Sequence, residues 1–549
     1  MKIANKKSKI FILLFLSLIF SCKDLTELNI NPNGVDARTV NPNLVLPFVL
    51  TSMAQNINGL GFGDAAGIMQ HTQKDGWFGG HNSYQFGTVD WSGNYAMLNN
   101  NKLVYDRSVE LGLEFHQGVT LVMKSMIFGW ITDLWGDAPY TSALKGDQLG
   151  DNMRPTYDDQ ETIYDGIIAD LETANTLLSK DKSEYQGIVD EADVFYGGNP
   201  VLWRKLANSL MLRYYMRISA KKPDVSKAGI EKIVANPDQY PIITSSGEDA
   251  AMGFPGATSG TSWPHAIQFD LSENNYSRIK MDSVFVETLL QLDDPRIGVW
   301  ADKVAIPLVV DASFPPSTDE IVTDKNGKKW RHLSPDVVGN IYVNQHPEYV
   351  GYPTQMATPS LYNLNPYATI QGAYNPHVSQ LNSMYKETNG PLLKARILSA
   401  AEVHFILAEA ALKGWTVGSA RTHYEEGVKA SFETWGVADK YATYIAGNAA
   451  YNGALAQVME QKWIASWTAA AESWFDYRRT GLPDLKTGSY TFRSVLPVRF
   501  PYGDNETGLN TTNVNVVLDK LEVTTYTQSD GLNSSWSKPW LLQGTGKPW

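Results

Sequence analysis

The sequence predicts a mostly α protein that carries long irregular loops and a few short strands. Three observations lead there. Apolar residues recur at steps of three and four through several capped segments. A central stretch, 236–394, loses that pattern and is dominated by Gly, Pro, Asn, Ser and Tyr. No period of 20–50 residues recurs along the whole chain, so the helices do not form a regular solenoid.

The helices follow in order. An apolar helical pattern begins at about Asn43. The run 119–135 is strongly apolar and stops at Gly136, with Pro139 just beyond. In the next segment Thr156 and Asp159 have the spacing of a capping box, and Ile163, Ile167, Leu171, Ala174 and Leu178 share one face. Asn199 is placed as an N-cap with Pro200 at the first helical position, and Leu202, Leu206, Leu210, Tyr214 and Ile218 supply the stripe. Beyond the central loops, Ser399 and Glu402 form a second capping box, Val403, Ile406, Leu407 and Ala410 the buried face, and Gly414 the stop. A partner helix ends at Gly436, so the two make a tetratricopeptide-type hairpin. "LAQVMEQKWIASW" and "AAESWFDYRRTGLPDL" extend the helical part. After Pro497 the chain is loop-rich, with "NVNVVL" and "LEVTTY" as strand candidates.

Composition narrows the function. With 549 residues, 43% hydrophobic and 19% charged, the chain can bury a substantial core. Its 46 basic and 58 acidic residues give a net charge of −12, which argues against a nucleic-acid partner. Sixteen Trp and 27 Tyr are enough for both core and binding surface.

The amino terminus reads as an export leader: Lys2, Lys6, Lys7 and Lys9 precede an apolar run at 10–20. That run is shorter than the roughly 20 apolar residues a membrane span needs. Cys22 is the only cysteine, and Leu18, Ile19, Phe20 and Ser21 before it look like a lipobox, with Phe20 bulkier than usual. Cys22 is therefore expected to be the lipidated first mature residue. The organisation expected is a leader at 1–21, anchor and tether at 22–42, and one domain at 43–549. Within that domain the helical scaffold occupies about 43–235 and 395–496, a loop-rich ligand-side insert 236–394, and an irregular tail 497–549.

Catalytic and metal signatures are sparse. Nine scattered His include no HExxH and no close pair, and His404, inside a helix, reads as a satisfied structural residue. "DKNGKK" at 324–329 gives a tight turn without the later ligands of an EF-hand; a structural calcium ion in the loops is the one cofactor left open. "GLGFGDAAG" at 59–67 has glycine spacing without the Lys-Ser/Thr of a phosphate loop and reads as a flexible connection. Asp293 and Asp294 are expected to end a helix and hold Arg296 rather than to hydrolyse glycosides.

What remains is aromatic surface. "DGWFGGHNSYQFGTVDWSGNY" (75–95) sets Trp77, Phe78, Tyr84, Phe86, Trp91 and Tyr95 among glycines and polar groups without helical period. Sugars offer a flat C–H face to rings and hydroxyls to polar side chains. Trp77, Phe78, Tyr84, Trp91 and Tyr95, with Trp263 and Tyr276 from the insert, are the candidate ligand contacts.

The same segments resemble the SusD/RagB family of outer-membrane lipoproteins, in its SusD-like, starch-binding-protein-like branch. The resemblance rests on the lipobox with "NINPNG", then "DLWGDAPYTSAL", "YDDQETIYDGIIADLETA", "GNPVLWRKLANSLMLRYYMRIS", "DDPR", "AEVHFILAEAALKG", "EQKWIASW" leading into "ESWFDYRRTGLPDL", and "RFPYGDNETGLN". Arg499, Pro501, Tyr502, Glu506 and Asn510 match the last motif, whereas the two "KPW" endings at 538–540 and 547–549 depart from it. The resemblance implies a right-handed superhelix with tetratricopeptide-like helix pairs. It also implies a non-enzymatic surface protein that captures oligosaccharide, or alternatively peptide, as the lid of a SusC-like TonB-dependent transporter. Asp24 and Glu27 look like its surface-export signal. An anchored glycoside hydrolase is the remaining alternative.

Overall fold

Helices carry the first part of the chain. α1 (Pro42–Gly61), α2 (Ser92–Glu110), α3 (Glu114–Trp135), α4 (Gln160–Leu177), α5 (Pro200–Arg217) and α6 (Pro223–Ala235) follow in order, each packed on the one before it. The structure, a computed structural model, describes residues 39–549 apart from 77, 78, 271, 371 and 373. The leader, Cys22 and the tether to residue 38 lie outside the described residues. Residues Pro42–Trp549 are one compact unit.

α3 is the centre of this layer. It is buried along nearly its whole length, as a helix without a polar face must be, and α1, α2, α4 and α5 enclose it. Gly129 lets α5 approach: a Cβ there would stand 2.3 Å from the Tyr214 hydroxyl. That hydroxyl donates to the Ser125 carbonyl at 3.2 Å. Gly136, at φ +108, ends the helix where the sequence placed the stop.

Caps set the helix starts. Asn199 Oδ1 accepts from Val201 N at 3.1 Å, with Pro200 at the first position, as expected. At α4 the expectation needs correction. Asp159 alone is the cap, accepting from Thr162 N at 2.8 Å, and Thr156 hydrogen-bonds Ser142 instead. An antiparallel bridge between Asp158 and Ala138 keeps the backbone extended up to that point.

The insert is built on short ladders. β1 (Thr72–Lys74) pairs antiparallel with β3 (Ile279–Met281), and β2 (Ala250–Gly253) with β7 (Lys394–Leu398). β6 (Lys329–Leu333) lies between β4 (Leu308–Val310), parallel to it, and β5 (Asp319–Thr323), antiparallel. "DKNGKK" is the tight turn joining β5 to β6, where Asp324 accepts from the amides of Asn326 and Lys328. α7 (Ser283–Gln291) starts on Asp282, which accepts from Val284 N at 2.8 Å. Asp294 and Arg296 pair at 2.5 Å, both fully buried, so "DDPR" is a structural lock.

Gly61, Gly63 and Gly67 of "GLGFGDAAG" are close-packed against backbone while Gly59 faces open space, and the segment is largely helical, so the flexible connection expected there is not found. Gly67 sits in the short helix Asp64–Ile68, where a Cβ would stand 2.2 Å from the His81 carbonyl.

α8 (Ala400–Leu412) and α9 (Ala420–Thr434) form the expected hairpin, followed by α10 (Leu455–Ala465) and α11 (Ala470–Thr480). Ser399 caps α8, accepting from Glu402 N at 3.2 Å. The Glu402 carboxylate does not fold back to complete the box; it takes two bonds from Arg213 of α5, each 2.7 Å. From there an ion network runs through the core. Glu472 meets Arg213 at 3.3 Å and also pairs with Arg217. Asp133 meets Arg217 at 3.5 Å and Arg478 at 3.3 Å. Asp476 holds Lys462 at 2.6 Å and Arg479 at 3.0 Å.

The tail returns to the first helices. Arg499 Nε donates to the Trp135 carbonyl at 3.0 Å, Tyr502 Oη to that of Asp137 at 2.9 Å, and Asn510 Nδ2 to that of Pro155 at 2.9 Å. Glu506 accepts from the Tyr157 hydroxyl at 2.5 Å. "NVNVVL" is helical, within Thr511–Leu518, because Val514 and Val517 share one buried face. "LEVTTY" contributes a single bridge, Glu522 to Lys538, rather than a strand. The second "KPW" docks: Trp549 Nε1 donates to the Leu496 carbonyl, and Lys538 Nζ lies 4.8 Å above the Trp549 ring.

Candidate functional site

The β1–β3 ladder sets two loops side by side, one leaving Lys74 and one entering Ile279. Asp75 N donates to the Arg278 carbonyl at 3.0 Å, extending the pairing. Ser277 Oγ donates to the Gly372 carbonyl at 2.6 Å and Tyr276 Oη to that of Leu381, which brings in a third loop at 366–388. Lys386 closes the join, 3.3 Å from Glu273 and 4.9 Å above the Tyr276 ring.

Beneath this face the floor is rigid. Lys280 and Asp75, both almost wholly buried, lie 3.4 Å apart, and the Tyr352 hydroxyl donates to the same carboxylate. Burial pulls the Lys280 ammonium below the usual range and pushes Asp75 up, each partly offset by the other's charge. Asn82 clamps the Lys74 backbone through bonds of 2.8 and 3.0 Å. His81 lies under Thr72, and burial holds its pKa down to about 4, so it is neutral at physiological pH.

The open side is aromatic and polar. Phe269, Tyr367 and Tyr374 are 41%, 50% and 47% exposed. Asp302 is half-buried; burial pushes its carboxyl up, against the Ser383 amide and the Lys386 charge. Burial and then the Asp302 charge raise both Tyr374 and Tyr276, so these groups share one electrostatic neighbourhood. Recesses of about 520 Å³ beside Tyr196, Asp249 and Lys394 and of about 420 Å³ beside Tyr105, Lys124 and Tyr140 lie elsewhere. Among the described residues no three His, Cys, Asp or Glu converge as metal ligands.

Of the residues expected to touch ligand, Tyr84, Trp91, Trp263 and Tyr276 are buried. Trp77 and Phe78 lie outside the described residues. Tyr84 is wholly buried, and Trp91 is a core ring, edge-on to Tyr95, Trp135 and Tyr502. Tyr95 is half-buried with its hydroxyl on the Pro139 carbonyl at 2.8 Å. Trp263 packs among Phe62, Phe254 and Tyr385, and Tyr276 lies under Lys386. In this conformation Tyr84, Trp91, Trp263 and Tyr276 offer no open face. Their loops double back onto the scaffold, which aperiodic spacing could not reveal. The exposed Tyr367 and Tyr374 were within the Tyr- and Asn-rich segment noted in the sequence, but nothing local distinguished them from the buried Tyr352 and Tyr362.

Residues 36–308 and 321–503 match the SusD-like_2 family, described as starch-binding associating with outer membrane. The chain belongs to the SusD-like family. No curated protein matches it. Solved SusD-like structures share its mostly helical fold. One, from Bacteroides vulgatus and described provisionally as an outer-membrane protein of nutrient binding, is 24% identical over 92% of this chain and 100% of its own, TM-score 0.69. A chitin-binding protein is 22% identical over 91% and 99%, TM-score 0.69. A chitin-binding SusD homologue from Flavobacterium johnsoniae is 20% identical over 91% and 99%, TM-score 0.65. At these identities the likeness shows the SusD-like fold. No helix among the described residues is long and apolar enough to cross a membrane.

Proposed function

We propose that this SusD-like chain is a surface lipoprotein, anchored through Cys22, that captures oligosaccharide without turning it over. It passes the glycan to a SusC-like TonB-dependent transporter, over which it acts as a lid. The observation that carries the binding role is the convergence of three loops on one rigid floor. There Tyr367 and Tyr374 are open beside Asp302, Glu273 and Lys386, and Phe269 is exposed on the loop that enters β3. Rings suit the C–H face of a pyranose, and the flanking carboxylates, amides and ammonium suit its hydroxyls. Trp77 and Phe78, which follow β1 closely, remain candidate contacts. Family membership supports outer-membrane association, and the chitin-binding relatives make chito-oligosaccharides the first ligands to try.

Calorimetric titration of the protein with chito-, malto- and xylo-oligosaccharides and with peptides tests this. Saturable binding of a glycan, with no new reducing ends on long incubation, is expected. Binding of peptides alone would replace the glycan reading, and sustained release of reducing ends would replace the non-enzymatic one. Co-purification with a TonB-dependent transporter, lost when Cys22 and the tether are removed, tests the partner.

A further inference from the structure

His404 on α8 and His423 on α9 face each other across the hairpin, Nδ1 to Nδ1, at 3.4 Å. Their ring centroids are 5.7 Å apart and the planes tilt by 32°. The far nitrogen of each ring is committed. His404 Nε2 donates to the Thr244 carbonyl at 3.1 Å, and His423 Nε2 to the Val417 carbonyl at 2.8 Å. A carbonyl oxygen only accepts, so both Nε2 atoms carry the proton.

A proton count follows. Two neutral rings have two N–H groups, and both are spent on carbonyls. The two Nδ1 atoms then meet as bare lone pairs, and the pair is one positive species short of satisfaction. Shifting either ring to the other tautomer only moves the mismatch, because it leaves a carbonyl facing a bare Nε2. His404 is 8% exposed and His423 half-buried, so solvent reaches the pair from the His423 side only.

We propose that the His404–His423 pair is a site for one transition-metal ion of the zinc and copper class, held by the two Nδ1 atoms and completed by water. Zinc–imidazole bonds are about 2.0–2.1 Å, and two of them at a tetrahedral angle span about 3.4 Å, the separation already present. A carbonyl accepting from the far ring nitrogen is the usual support of a metal-bound imidazole, and here both rings have it. Glu426, one turn along α9, keeps the neighbourhood from being net cationic, since Lys429 leans to it at 3.5 Å. The occupied site would pin α8 to α9 and, through Thr244, to the chain entering β2. This role is independent of the glycan face.

The test uses the untagged full-length protein titrated with ZnCl2 and with CuCl2 in a non-chelating buffer. One ion per chain is expected to bind, with Cu(II) electron paramagnetic resonance showing two nitrogen ligands and the thermal midpoint rising with metal. His423→Gln, at the half-exposed ring, should weaken binding at least tenfold without unfolding the protein, and His404→Gln should do the same. His346→Gln, in the insert and away from the hairpin, should leave metal binding unchanged. Absence of a stoichiometric site, or an affinity unchanged in His423→Gln, would overturn the proposal and leave the pair as a packing contact of the hairpin.

Discussion

Arg479 holds Glu409 through both terminal guanidinium nitrogens, at 2.5 and 2.7 Å, with both side chains almost completely buried. Burial works to raise the Glu409 pKa, and the Arg479 charge more than offsets it, so the carboxylate lies below its usual range. Glu409→Gln leaves the guanidinium without its main counter-charge and should cost about 3–5 kcal/mol, read as a lower guanidinium chloride midpoint. The exposed pair Lys440–Asp439 is the control, and Lys440→Ala should not move that midpoint. The depressed Glu409 pKa gives the sign with pH. Its contribution is complete above the unfolded carboxyl pKa and is lost as pH falls through the folded value.

Asp282 has the opposite sign. Burial pushes its pKa up to about 8, against bonds from Val284 N and Thr354 Oγ1. Between the unfolded value, near 4, and about 8 the folded chain keeps a proton that the unfolded chain releases. Stability therefore falls as pH rises through that window, by up to about 1.4 kcal/mol per pH unit from this group. Asp282→Asn keeps an N-cap and removes the titration. Its unfolding midpoint should drop less than that of the wild type between pH 5 and pH 8, and parallel profiles would refute the assignment.

Gly67→Ala probes the close approach of the Asp64–Ile68 helix to the loop carrying His81. The added methyl would lie 2.2 Å from the His81 carbonyl oxygen, so backbone must move. A loss of about 1–3 kcal/mol is expected in thermal or chemical unfolding.

Rings on the loop face should separate into two kinds. Tyr374→Ala should weaken glycan binding roughly two- to tenfold and leave the melting temperature unchanged, as removal of one stacking contact does. Trp263→Ala should cost about 3–5 kcal/mol of stability, because it opens a cavity between Phe62 and Tyr385. An unaltered affinity in Tyr374→Ala, together with one in Tyr367→Ala, would move the glycan site away from these loops.

These contrasts mark what the sequence could convey. Asn199 with Pro200, and Ser399 before Glu402, were legible because a cap and its helix are neighbours in the chain. The helical hairpin was legible for the same reason. The burial of Trp91 and Trp263 was not legible because it depends on Trp135, Tyr502 and Tyr385, which are far away in sequence. Thr156 was misread because a bridge to Ala138 overrides local capping preference. His404 and His423 were seen as scattered, although only a hairpin separates them. Each miss is a tertiary contact overruling a local signal.

The returning tail has a consequence for how the molecule is made. Arg499 and Tyr502 satisfy carbonyls at the end of α3, and Leu541 N donates to Gln160 at 3.0 Å at the start of α4. Those partners lie more than three hundred residues upstream. The chain is delivered amino end first, so α3 and α4 arrive early, yet Arg499, Tyr502 and Leu541 arrive only with the last fifty or so residues. Contacts of such long range are slow to form. A late stop codon would therefore remove hydrogen-bond partners from the oldest part of the molecule, the end of α3 and the start of α4.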